Sequence, residues 1–151
     1  MIEALISISS LASAMAAGAL LVGLIVILPL LMSLSSERYP GTNAFVLHRM
    51  DKLMPTCTGI AILSGAALAL LLDTPPVQAM YGLGAVSLGG VFAVSLGALG
   101  PLNTAIAAID TRAPRPDWER MRMRWRTWHF IRVGCGQVGA ILYAVALGIF
   151  L

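Results

Sequence analysis

The stretch WERMRMRWRTWHFIR, residues 118–132, sets His129 three positions before Arg132, a spacing that puts both on one face of a helix. The only other histidine, His48, stands three positions before Asp51 and four before Lys52. Asp51 can accept a hydrogen bond from His48 and fix its tautomer, as a general base or a metal ligand requires. Asn103, in GALGPLNTAIAAID, lies seven positions before Asp110, again on one helical face. Its amide can aim a donor or acceptor at a ligand between helices, or bond a neighbouring helix for about 1 kcal/mol. Trp125 and Trp128 add broad aromatic surface beside this set. Each residue also has a plainer use. His48 serves as a polar anchor, and tryptophan as an aromatic belt where a helix leaves a bilayer. No CxxC, HExxH, P-loop or Gly-rich dinucleotide motif accompanies them.

The elements that must position these residues are apolar. Of the 151 residues, 58% are hydrophobic and 11% charged. No Asp, Glu, Lys or Arg occurs over 4–36, 53–72, 74–109 or 133–151. Crossing a bilayer core of about 30 Å takes roughly 20 apolar residues, so four spanning helices are expected, at about 9–34, 53–72, 77–103 and 132–151. The runs are continuously apolar rather than alternating, which excludes a membrane barrel. The amino-terminal run is expected to be a retained span, because Glu3 replaces a basic n-region and the run outlasts a signal h-region. Within it, ASAMAAGA reads as small-residue packing surface. Cys57 and Cys135 read as small buried residues rather than a disulfide or metal pair.

Orientation follows from the basic residues. Arg38, Arg49 and Lys52 lie in the first linker and the other seven in the third, 110–132, with none in DTPPVQ or at either end. The positive-inside rule then puts linkers one and three in the cytoplasm and both termini outside. Arg120, Arg124 and Arg126 are accounted for by that role and by contact with anionic headgroups. Topology therefore explains the pI near 9.3, and nucleic acid is not an expected partner. Pro116, Asp117 and Glu119 mark a helix start. With no later proline, that helix should run unbroken into span four. Trp118, Met121, Arg122, Trp125, Trp128, His129 and Arg132 then share an arc of about 120°. In span three, Pro101 with Gly97 and Gly100 predicts a bend or close approach.

The fold class is therefore all-α: a single-domain membrane four-helix bundle with helix four extended into the cytoplasm. The ends of spans two, three and four meet in such a bundle. That brings His48, Asp51, Asn103, Asp110, Trp125, Trp128, His129 and Arg132 to one end, as a polar set in a mostly apolar pocket. PLNTAIAAID, WERMRMRWRTWHFIR and LHRMDKLMP together resemble the anthrone oxygenase-like family of small four-span membrane proteins. The resemblance covers most of the chain and is specific over about thirty residues. It carries over Asn103, Trp125, Trp128, His129 and Arg132, and it implies oxidation of anthrones to anthraquinones.

The expected function is oxidation of a flat, apolar phenol-, anthrone- or quinone-type molecule that reaches the pocket from the bilayer. His129 is the candidate base, Asn103 and Arg132 the groups that meet a developing oxyanion, and Trp125 and Trp128 the aromatic walls. His48, Asp51 and Asp110 complete the substrate-binding set. The sequence leaves the cofactor open: the oxidation can proceed with none, haem or a metal bound by His48 and His129 is an alternative, and a non-enzymatic membrane binder is another. Lipids are expected partners, a second copy of the chain is left open, and a bacterial-type inner membrane is the expected location. Reporter fusions at Leu151 and within linker three should give opposite readouts. A cytoplasmic signal from the Leu151 fusion would overturn this topology.

Overall fold

The computed structural model describes residues 1–50, 52–113 and 116–150. Five helical elements follow one another: α1 Ile2–Ser33, α2 Tyr39–Met50, α3 Leu53–Leu71, α4 Pro75–Ala107 and α5 Trp118–Phe150. No strand occurs among the described residues. All but α2 are long and apolar enough to cross a membrane. At 1.5 Å per residue, the 33-residue α5 is about 50 Å long. That exceeds a hydrocarbon core of about 30 Å, so its amino-terminal turns extend past the apolar layer or the helix tilts. It runs without a break from Trp118, as the absence of proline predicts.

The four long helices close a ring in which α1 and α4 each pack on both α3 and α5. Lipid does not drive apolar helices together the way water does, so close backbone approach and interhelical hydrogen bonds carry the association. On α1, Ser9, Ala12, Ser13, Ala16 and Ala17 are buried, the small-residue face anticipated in ASAMAAGA. Between the other helices, Tyr143 of α5 lies where side chains at Gly65 of α3 and Gly84 of α4 would stand. Its hydroxyl crosses the bundle to donate to the Ala61 carbonyl at 2.8 Å. Gln137 donates to the Ala17 carbonyl at 2.8 Å, and Ser87 to the Cys135 carbonyl at 2.9 Å. Cys57 and Cys135 are free thiols, one buried and one half-buried. Outward, Leu63, Leu70 and Val86 are 74%, 83% and 74% exposed, an apolar surface suited to lipid.

Two features depart from the sequence reading. The first linker, read only as the carrier of Arg38, Arg49 and Lys52 with no helix assigned to its length, folds into α2. Tyr39, Asn43, Val46, Leu47 and Met50 recur at helical spacing, and this stripe turns inward while His48 and Arg49 stay exposed. The second is Arg122, which is buried and does more than set topology. Its Nη1 donates to the carbonyls of Met32 and Leu34, at 3.1 and 2.9 Å, where α1 ends. Its Nη2 meets Glu119 Oε1 at 2.6 Å, and its guanidinium stacks 4.7 Å from the Trp118 ring centre. The clamp thus joins the start of α5 to the end of α1. Beside it, burial pushes the Tyr39 hydroxyl up to about 12, with the Arg122 charge pulling the other way, so Tyr39 stays neutral.

Gly84→Ala should destabilise the bundle by about 1–3 kcal/mol, the usual range for overpacking, because the new methyl meets the Tyr143 ring. Gly18→Ala, with open space around it, should be neutral or better. Thermal unfolding in detergent compares them, and equal melting temperatures would show that Tyr143 does not require the glycine.

Candidate functional site

Two prolines shape the site before any polar group enters it. Pro29 in α1 and Pro101 in α4 lack a backbone donor, and each ring crowds the carbonyl one turn back. In each helix the turn just ahead widens to π geometry, over Gly23–Ile27 and Ser95–Leu99. The Leu28 N–H then reaches the Gly23 carbonyl, and the Gly100 N–H reaches the Ser95 carbonyl. Single π turns of this kind are found frequently at functional sites. Both flank one cavity of about 360 Å³, whose remaining walls come from α2, the start of α3 and α5. Its lining is mostly apolar, with Asn103, His129, Arg132, Ser95 and Thr58 as the polar exceptions.

These groups form a chain of contacts. Trp125 Nε1 donates to Asn103 Oδ1 at 2.9 Å. An indole nitrogen only donates, so this bond fixes the amide orientation and leaves the Asn103 NH2 as donor. The Trp125 ring stacks on His129, with centres 5.0 Å apart and planes 15° apart. Arg132 Nη2 donates to His129 Nδ1 at 2.9 Å, and its Nη1 lies 3.4 Å from the Ser95 hydroxyl. Ser95 in turn donates to the Val91 carbonyl at 2.6 Å. With Nδ1 accepting from a guanidinium, a neutral His129 carries its proton on Nε2. That nitrogen is buried against Gly23, whose missing side chain would stand 3.1 Å from it. Thus the first residue of each π turn, Gly23 and Ser95, meets one member of the His129–Arg132 pair.

Two buried polar atoms among the cavity residues, Arg132 Nε and Thr58 Oγ1, have no hydrogen-bond partner among the described residues, while His129 Nε2 faces the Gly23 backbone. Nor does any ion pair engage Arg132 among those residues. Unpaired polar groups cost stability when buried, and these belong to residues that line one mostly apolar cavity.

Of the eight residues singled out in the sequence, Asn103, Trp125, His129 and Arg132 line the cavity. His48 and Asp110 are exposed and outside it. Asp110 instead accepts from the Arg112 backbone at 2.9 Å. Trp128 is half-buried against the neighbouring apolar cluster. Asp51 lies outside the described residues. His48 is exposed and absent from the cavity wall, so the cavity does not bring it together with His129 to share a haem or metal. No cluster of three or more metal-ligating residues occurs among the described residues.

Sequence reading missed Gly23, Ser95, Thr58 and Asn43. Asn43 is 1% exposed on α2 and lines, with Asn103, a smaller adjoining cavity of about 240 Å³. Asn43 and Thr58 carried a signal, as uncharged polar residues on otherwise apolar helix faces. Gly23 and Ser95 carried a subtler one, each six positions before a proline within a span.

The geometry meets an independent finding here. The family model described as anthrone oxygenase matches residues 43–142, two thirds of the chain, and the chain belongs to that family. The match runs from α2 through most of α5 and includes Asn103, Trp125, His129 and Arg132. No curated protein and no solved structure gives a significant match.

Nitrogen-15 NMR of the imidazoles should report His129 with its proton on Nε2 and a bare Nδ1. Arg132→Leu should abolish that preference. A proton on Nδ1 in the unaltered protein would contradict the Arg132 contact.

Proposed function

We propose that this membrane protein is an oxidoreductase of the oxygenase type, acting on a flat apolar phenol-, anthrone- or quinone-type molecule that enters its cavity from the bilayer. The observation that carries the reading is the contact chain Asn103–Trp125–His129–Arg132 on the wall of a mostly apolar cavity. Membership of the anthrone oxygenase family supports the substrate class. In the same reading the cavity lies at the cytoplasmic end of the bundle, with both termini outside, in an inner membrane of bacterial type. The ten basic residues of linkers one and three support that orientation.

The chemistry divides among four side chains. Trp125 offers its ring as a wall for a planar substrate. The Asn103 NH2, held in direction by Trp125, and the Arg132 guanidinium bind the substrate oxygen as negative charge develops on it. Arg132 then exchanges its bond with His129 Nδ1 for one with the oxyanion. The freed Nδ1 lone pair accepts the proton from the acidic carbon or hydroxyl, making His129 the general base. For an anthrone-type CH2, the enolate so formed is electron-rich, and dioxygen is the oxidant. A carbon–oxygen bond forms to dioxygen, protonation gives a hydroperoxide, and loss of water leaves C=O. The balance is R2CH2 + O2 → R2CO + H2O.

His129→Gln should lower oxygen consumption with anthrone in proteoliposomes by a factor of about 100, the usual scale for losing a general base. Folded yield should stay near that of the unaltered protein. Arg124→Gln, on the exposed face of α5, should lose little. Undiminished turnover in His129→Gln would remove the base assignment and leave His129 as a packing residue.

A further inference from the structure

Thr58 of α3 is 1% exposed, lines the cavity, and has no hydrogen-bond partner for its Oγ1 among the described residues. Helical hydroxyls seldom go unused, because serine and threonine can donate to a carbonyl three or four residues back. Eight others among the described residues do so, Ser64, Ser95, Thr104 and Thr127 among them. Ser64 donates to Ile60 and Ser95 to Val91, both at 2.6 Å, while Thr104 reaches Gly100 at 3.2 Å and Thr127 reaches Met123 at 3.1 Å. Thr58 instead keeps its hydroxyl buried and unpaired at a cavity wall, an arrangement that is unfavourable until a partner arrives.

The position of Thr58 in the bundle identifies that partner. In the ring of helices α3 packs on α1 and α4, and so does α5, so α3 and α5 stand diagonally across the bundle. Thr58 therefore borders the cavity from the wall opposite His129 and Arg132. A molecule held at one edge by Arg132 and His129 presents its other edge toward α3. Between them the lining is apolar, including Leu20, Val91 and Leu99.

We propose that Thr58 is a ligand-positioning residue, hydrogen-bonding an oxygen on the far edge of a fused aromatic ring system whose near oxygen is held by Arg132 and His129. The inference rests on the preceding reading of the cavity as a pocket for flat oxygenated aromatics. It narrows that class to molecules with oxygens on two opposite edges. The hydroxyl both donates and accepts, so either a carbonyl or a phenol serves at that edge.

The test compares two probes by calorimetric titration of the full-length protein in detergent: 1-naphthol, with one oxygen, and 1,5-dihydroxynaphthalene, with oxygens on opposite edges. The unaltered protein should bind the diol about five-fold more tightly, the scale of one net hydrogen bond. Thr58→Val should erase that preference and leave 1-naphthol affinity unchanged, and Thr58→Ser should keep it. Equal affinities in the unaltered protein, or equal weakening of both probes in Thr58→Val, overturns the role of Thr58. Failure of both probes to bind overturns it together with the pocket reading. Discrimination between the probes that vanishes in Thr58→Val, without oxygen consumption, upholds Thr58 and removes only the oxidation step.

Discussion

A proline inside a membrane-spanning helix deletes a backbone donor where no water can replace it, and its ring presses on the carbonyl behind it. The bundle carries this constraint twice, at Pro29 in α1 and Pro101 in α4, and answers it both times with a widened turn. The consequences reach well beyond the backbone. One widened turn begins at a glycine with room for an imidazole against it, the other at a serine within reach of a guanidinium. His129 and Arg132 occupy those two places, and the cavity opens between the same turns.

A second tier of contacts holds α5 in the register this needs. Arg122 sits ten residues before Arg132 and binds the last carbonyls of α1, so the helix carrying the site is pinned to the helix carrying the Gly23 turn. Further along, Tyr143 fills the space left by Gly65 and Gly84 and bonds across to α3. Between these two anchors α5 has little freedom to slide or rotate. His129 and Arg132 lie in that interval, and the Trp125 bond to Asn103 then orders the remaining polar group. The walls are thus tied to one another by specific contacts, while Arg132 Nε and Thr58 Oγ1 stay unpaired on residues that line the cavity.

The arginines of WERMRMRWRTWHFIR divide by face. Arg120, Arg124 and Arg126 are exposed and available to headgroups, whereas Arg122 and Arg132 point inward and are spent on a helix clamp and a cavity. Alternating positions along one short segment thus carry unrelated physical tasks. Charge counting treats them alike, while the 100° step of the helix separates them.

What could be read from the sequence alone was whatever depends on composition and period. Four charge-free runs defined four spanning helices, and the absence of proline after Pro116 predicted the long α5. The 3.6-residue period placed Trp125, His129 and Arg132 on one face, and PLN and WHFIR carried the family resemblance. Asn103 was legible as an amide in an apolar run. Tertiary structure decided which candidates meet. Helix ends alone suggested that His48 and Asp110 meet His129, but they do not set the rotation of α2 or the path of the chain after α4, and both residues are exposed. Thr58, Ser95 and Gly23 became site residues only through packing, because a hydroxyl or a missing side chain acquires meaning from what stands opposite it. Periodicity describes one helix at a time, and a site between helices depends on their mutual rotation, which the prolines, the close-packed glycines and the Arg122 clamp set together.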